Sequence, residues 1–168
     1  MKNQILTFLL LFVATAAIAQ ADSDDKTRLR GSWGIVEMAK DEDLAMSLDP
    51  QKQQKIIDDA WVQDSVMMLE MGMNKAMLTK NMEEQSELLS KVTFVFDKKG
   101  KVTVSPNDGV SADVFSPYTL NEAKKELTIE EENGDKLVYN YLITDNELIL
   151  KRESDMLIFK RKSTINKH

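Results

Sequence analysis

Between Lys91 and Arg161, apolar and polar residues alternate in short runs separated by Gly, Asn and Asp, the period-two pattern of half-buried strands. Val92-Thr93-Phe94-Val95-Phe96 comes first, and Asp97-Lys98-Lys99-Gly100 predicts a tight turn in which Gly supplies positive φ. Val102-Thr103-Val104 returns. Asp113–Leu120 is a weaker strand interrupted by Pro117, which predicts an edge or a bulge. Lys125–Glu130 and Lys136–Thr144 flank Asn133-Gly134, a strong hairpin signal. Glu147–Arg152 and Met156–Arg161 follow across turns at Asp145-Asn146 and Glu153-Ser154-Asp155. Far upstream, Trp33–Met38 has the same character and raises the expected count to eight strands.

A different period fills the interval. Ile56, Ile57, Ala60, Trp61, Met67, Met68, Met71, Met77, Leu78, Met82, Leu88 and Leu89 recur at helical spacing over about residues 50–90. Asp49-Pro50 supplies a cap and a first-turn proline, and Gly72 predicts a break into two helices. This helical insertion is expected between the first and second strands, behind the acidic connector Asp41-Glu42-Asp43.

Hairpin turns force antiparallel neighbours, and eight such strands remove their edges by closing into an up-and-down barrel. The fold class is therefore mainly β with a helical insertion. On the longest strand Leu137, Tyr139, Tyr141 and Ile143 share one face, while Val138 and Leu142 share the other with Asn140. Two-sided apolar strands need cover on both faces. The helices are expected to supply it, over the barrel wall or over its mouth.

The N-terminus changes the picture. Lys2, the apolar run Ile5–Val13 and the small-residue site Ala17-Ile18-Ala19 match a secretory signal peptide, expected over residues 1–19. Residues 20–30 read as a flexible, acidic leader and 31–162 as a single domain. Zero Cys fits an exported protein without disulfides, periplasmic or secreted. A net charge of −6 with no basic stripe argues against nucleic acid and against anionic membrane surfaces. No further run is long enough to span a bilayer.

Leu29-Arg30-Gly31-Ser32-Trp33 resembles the L-x-G-x-W start of lipocalin-like domains, and Asn146–Arg152 resembles their common ending. The meander from Thr93-Phe94 through Gly100 is similar to small bacterial exported lipocalin-like proteins. The resemblance spans both ends of the chain but not the insertion. It implies a closed barrel in which Gly31 and Trp33 form a structural motif, the indole packed against Arg152 or Arg161.

Candidate chemistry is sparse. The sole His is His168, the last residue, so a Ser-His-Asp site is not expected, and no cofactor or metalloprotease fingerprint occurs. The adjacent carboxylates Asp58-Asp59 and Glu130-Glu131-Glu132 are expected to diverge or to sit on a solvated turn. Thioethers select Cu(I), but the methionines of the insertion overlap its core stripe, and Met also fills apolar gaps and adaptable binding surfaces. No metal or cofactor is assigned. Phe94, Phe96, Phe115, Tyr139 and Tyr141, with Met68 and Met71 from the insertion, are the candidate ligand-lining residues; a barrel of this width is either filled by such side chains or holds one small ligand. The leading reading is a non-catalytic carrier of a small apolar ligand. The alternative is a filled barrel that docks a protein partner through its Met-rich helices.

Overall fold

The computed structural model of the chain describes residues 24–41 and 43–163. The expected signal segment, the first residues of the leader, Glu42 and His168 lie outside the described residues. In chain order the elements are α1 (Asp25–Leu29), β1 (Gly31–Lys40), β2 (Asp43–Ser47), α2 (Pro50–Glu70), α3 (Lys75–Lys91), β3 (Thr93–Phe96), β4 (Lys101–Ser105), β5 (Val114–Asn121), β6 (Glu126–Glu130), β7 (Lys136–Ile143), β8 (Glu147–Arg152) and β9 (Asp155–Arg161).

All strand pairings are antiparallel, and β1, β3 and β4–β9 form a closed eight-stranded ring because β1 pairs with both β3 and β9. The ninth strand, β2, is not announced by the alternation. It pairs with the far half of β1, from Glu37↔Ser47 to Lys40↔Asp43, where β3 no longer reaches. β1 joins β3 only over Gly31–Trp33, so the wall splits above Trp33 and β2 occupies the position β3 has left. The helices therefore follow this hairpin.

The turns follow their chemistry. Gly100 adopts φ +81°, and the Asp97 carboxylate accepts from the backbone N–H of Lys99 and Lys101 at 2.7 and 2.9 Å. Pro117 marks a change of partner: β5 pairs with β4 up to Lys101↔Pro117 and with β6 from Tyr118↔Ile129 onward, so the missing N–H breaks no ladder. Asp49 caps α2 by accepting from the N–H of Gln51 and Lys52, and the chain breaks at Gly72 as its spacing predicts.

The insertion does not cover the second face of β7. Val138 and Leu142 are 46% and 59% exposed, because helices tethered between β2 and β3 reach only the β1–β2 sector, across the barrel from β7. Only the base of the helical hairpin packs. Ile57 is buried, Gln53 Nε2 donates to Ser86 Oγ at 2.9 Å, and Leu89 packs against the barrel core. The distal half projects, leaving Val62, Val66, Met67, Leu69, Met71 and Met77 exposed.

The segment read as a flexible leader also needs correction from Asp24 onward. Asp24 caps α1 by accepting from Lys26 N–H at 3.1 Å, and Leu29 enters the core at 1% exposure. Burying one leucine side chain contributes about 2 kcal/mol, enough to order a single helical turn that docks on preformed strands.

Candidate functional site

The two ends of the barrel differ in kind. At the lower end Trp33 is fully buried, its Nε1 donating to the Leu29 carbonyl at 2.8 Å. The Arg161 guanidinium lies 4.2 Å from the indole centroid and donates to the carbonyls of Arg30 (2.8 Å), Asp145 (2.6 Å) and Arg28. Arg161 is thus the basic partner of Trp33, and Arg152 lies elsewhere. Gly31, at φ +120°, has room only for hydrogen: a Cβ there would lie 2.7 Å from Arg161 Nη1.

Above this plug, Phe96, Phe159, Leu127, Leu148 and Val102 are fully buried and fill the lower interior. Phe94 meets Phe159 edge to face with centroids 5.1 Å apart, and Phe96 meets Tyr118 likewise at 5.2 Å. Tyr141 is buried among them, its hydroxyl donating to the Asp25 carboxylate at 2.9 Å, which also accepts from Lys125 Nζ at 2.6 Å. Phe96 and Tyr141 therefore belong to a filled core.

Burial pushes the Asp25 carboxyl up, but the hydrogen bonds from Lys125 and Tyr141 outweigh it and hold the group below its ordinary value. Burial, followed by the bond to Asp25, pushes the Tyr141 hydroxyl far above its usual range. A depressed carboxyl contributes stability above its unfolded value, about 3.9, and loses it as pH falls through the folded value. Glu122, pushed up by burial and by its hydrogen bond with Asp24, acts with the opposite sign. Comparison with a variant therefore isolates Asp25. In urea unfolding between pH 7 and pH 2, Asp25→Asn is expected to lower stability at pH 7 and to flatten the acid limb below about pH 4; an unchanged limb would contradict the assignment.

The upper end is open. Met38, Leu89, Tyr139 and Leu157 are only partly buried and pack on the filled layer beneath. Met38 reaches the interior through a β-bulge: Ile35 faces Phe159 and Met38 faces Leu157, with the register shifting between Ile35 and Glu37. Two recesses share Met38. One, about 400 Å³, is lined by Met38, Met46, Leu88, Leu89, Val92 and Pro106, in the split between β2 and β3 that the base of α3 fills. The other, about 300 Å³, is lined by Met38, Ala45, Tyr139 and Leu157, with Lys40, Arg152 and Asp155 on its rim. A wider hollow of about 710 Å³ at the β8–β9 turn is lined by Asp41, Lys151, Glu153 and Asp155, too polar for an apolar ligand.

Of the expected lining residues, the structure places Tyr139 at this mouth and Phe94 just beneath it. Phe115 is turned outward. Val102 and Ser116 are register partners on the inner face, so Thr103 and Phe115 face away; the ring is half exposed, with Lys101 Nζ 3.9 Å above it. Met68 and Met71 sit at the far end of α2, with Met71 71% exposed, and line neither recess. Sequence reasoning missed Met38, Met46, Leu89 and Leu157. The spacing Trp33, Ile35, Met38 carries the signal of the bulge.

Asp58 and Asp59 turn to different lysines, Asp58 to Lys75 at 2.8 Å and Asp59 to Lys55 at 2.7 Å, and form no paired acid site. Among the described residues no three His, Cys, Asp or Glu side chains gather as metal ligands. No helix there is long and apolar enough to cross a membrane.

No family model matches the chain, and no curated protein does. Solved structures are similar. A DUF4847 family protein from Bacteroides vulgatus ATCC 8482 aligns at 10% identity over 82% of this chain and 96% of its own, with a TM-score of 0.53. A lipocalin-like protein from Bacteroides uniformis ATCC 8492 aligns at 14% identity over 80% of this chain and 99% of its own, with a TM-score of 0.48. At such identities the likeness concerns the fold alone. By the strand order above, the chain is a closed, eight-stranded antiparallel barrel with its helices inserted after β2.

Proposed function

We propose that the protein is a non-catalytic carrier of a small, mostly apolar ligand, held at the mouth of the barrel and not in its centre. The observation that carries this reading is the pair of recesses joined at Met38 above a floor already filled by Phe96, Phe159 and Leu127. Their volumes lie at the lower end of the range for small-molecule sites. Met38 and Met46 are flexible and polarisable, suited to reshaping around a guest. The basic start, apolar run and Ala17–Ala19 site support export to the periplasm or beyond, where such a carrier would meet its ligand. Native mass spectrometry of protein purified gently from its own host should show a co-purifying lipid or pigment mass that solvent extraction removes. Protein without any adduct, and unable to take one up, would overturn the reading.

A second reading is supported by the projecting hairpin, where Val62, Val66 and Met71 are 81%, 72% and 71% exposed. Exposed apolar residues gathered on one projecting element mark interaction surfaces. Val66→Ser with Met71→Ser is expected to change stability by under about 0.5 kcal/mol, because neither side chain contributes to the core. Partner capture lost in that variant, with thermal unfolding unchanged, would favour docking through the hairpin. A large fall in stability would instead show that the hairpin tip is core.

A further inference from the structure

We propose that the 300 Å³ recess selects an amphiphile with a carboxylate head, and that Arg152 receives that head group. This deepens the reading of the mouth as a ligand site and rests on it.

Arg152 ends β8 on the inner face, in step with Leu148 and Leu150, which are both buried. Its guanidinium stands 5.7 Å from the Tyr139 ring centroid and is partly buried at the rim. Arg161 is held by three carbonyls and the Trp33 ring, and Arg28 pairs with Asp145 at 3.3 Å. Among the described residues Arg152 forms no ion pair, and neither does Lys40 on the same rim. Among the described residues Asp155 is the only carboxylate lining the recess; it is the register partner of both cations yet ion-paired with neither. The described lining of the recess thus holds two cations and one carboxylate above an apolar floor.

This arrangement discriminates among guests. A ligand that covers the mouth removes water from the guanidinium, and an apolar head would leave that charge buried without a partner. A carboxylate matches the planar fork with two parallel N–H···O bonds, and the Tyr139 ring 5.7 Å away adds a cation–π contact to the guanidinium. The aliphatic tail would then lie on Met38, Leu157 and Ala45. Asp155 opposes the same head group, so removing its charge should strengthen the contact.

The test is calorimetric titration of the full chain with dodecanoate, dodecanol and dodecylamine below their micellar concentrations. Dodecanoate is expected to bind at least about tenfold tighter than dodecanol, with dodecylamine weakest, since a hydrogen-bonded charge pair is worth about one decade in affinity or more. Arg152→Gln should erase the difference between dodecanoate and dodecanol, by weakening the acid and by sparing the alcohol the burial of an unpartnered charge. Asp155→Asn should tighten dodecanoate several-fold. Equal affinity for acid and alcohol, or a dodecanoate affinity indifferent to both substitutions, would overturn the carboxylate assignment and leave the apolar mouth standing. No binding of any of the three probes would overturn both.

Discussion

Trp33→Ala is expected to cost about 4 kcal/mol, a large fraction of the stability of an ordinary single domain. The indole is fully buried, so its removal opens a cavity in a layer where Phe96, Phe159 and Leu29 have no free space to collapse into. It also leaves the Leu29 carbonyl without its 2.8 Å donor and Arg161 without the ring 4.2 Å beneath it. Urea unfolding followed by far-ultraviolet circular dichroism measures the loss without depending on the deleted fluorophore. Trp33→Phe, which keeps an aromatic ring but not the N–H, should recover more than half. A loss below about 1 kcal/mol for the alanine variant would show that the lower end is not the structural base of the barrel.

Arg161→Ala should cost about 3 kcal/mol by a different route. Its guanidinium ties three carbonyls, two at the C-terminal end of α1 and one in the β7–β8 turn, to the end of β9. Charge-assisted bonds contribute roughly 1.5–3 kcal/mol each when well shielded, but this head group is partly exposed and the freed carbonyls can rehydrate, so the three together fall well short of their sum. Arg161→Lys keeps the charge without the fork and should recover less than half. Because Trp33 and Arg161 stack on one another, the double variant should lose about 1–2 kcal/mol less than the two single losses added together. Strict additivity would mean that the stacking contributes nothing. Amide exchange in residues 24–30 should rise in Arg161→Ala while that of Met38 and Leu157 stays slow, because the latch holds one end only.

The barrel was legible because hairpin chemistry is local. Asn133-Gly134, Asp97–Gly100 and the period-two runs each specify a turn or a strand from neighbouring residues alone. β2 was not legible: Asp43–Ser47 is short and acidic at its start, and it is a strand only because β3 leaves the far half of β1 unpaired. α1 was hidden for a similar reason. Its polar residues read as a tail, and what orders them is Leu29 and the Asp25 carboxylate meeting Tyr141, 116 positions away in sequence.

The candidate site was half legible. Parity put Tyr139 and Tyr141 on one face of the longest strand, and that face turns inward, because alternation survives along an unbroken strand. Phe115 was expected to line the interior as well, and the register Val102↔Ser116 turns it outward. The bulge after Ile35 moved Met38 inward in place of Glu37, a shift of one residue that changes which side chains line the mouth. Counting methionines by helical spacing pointed to Met68 and Met71. The methionines at the recess are Met38 and Met46, on strands.

That contrast supplies the most direct test of the mouth as the ligand site. The methionine methyls report separately on the mouth, through Met38 and Met46, and on the projecting hairpin, through Met67, Met71 and Met77. With methyl-labelled methionine, titration of the full chain with dodecanoate should move the Met38 and Met46 resonances saturably and leave the three hairpin methyls in place. Movement of the hairpin methyls with Met38 and Met46 unchanged would contradict the account and locate binding on the helices.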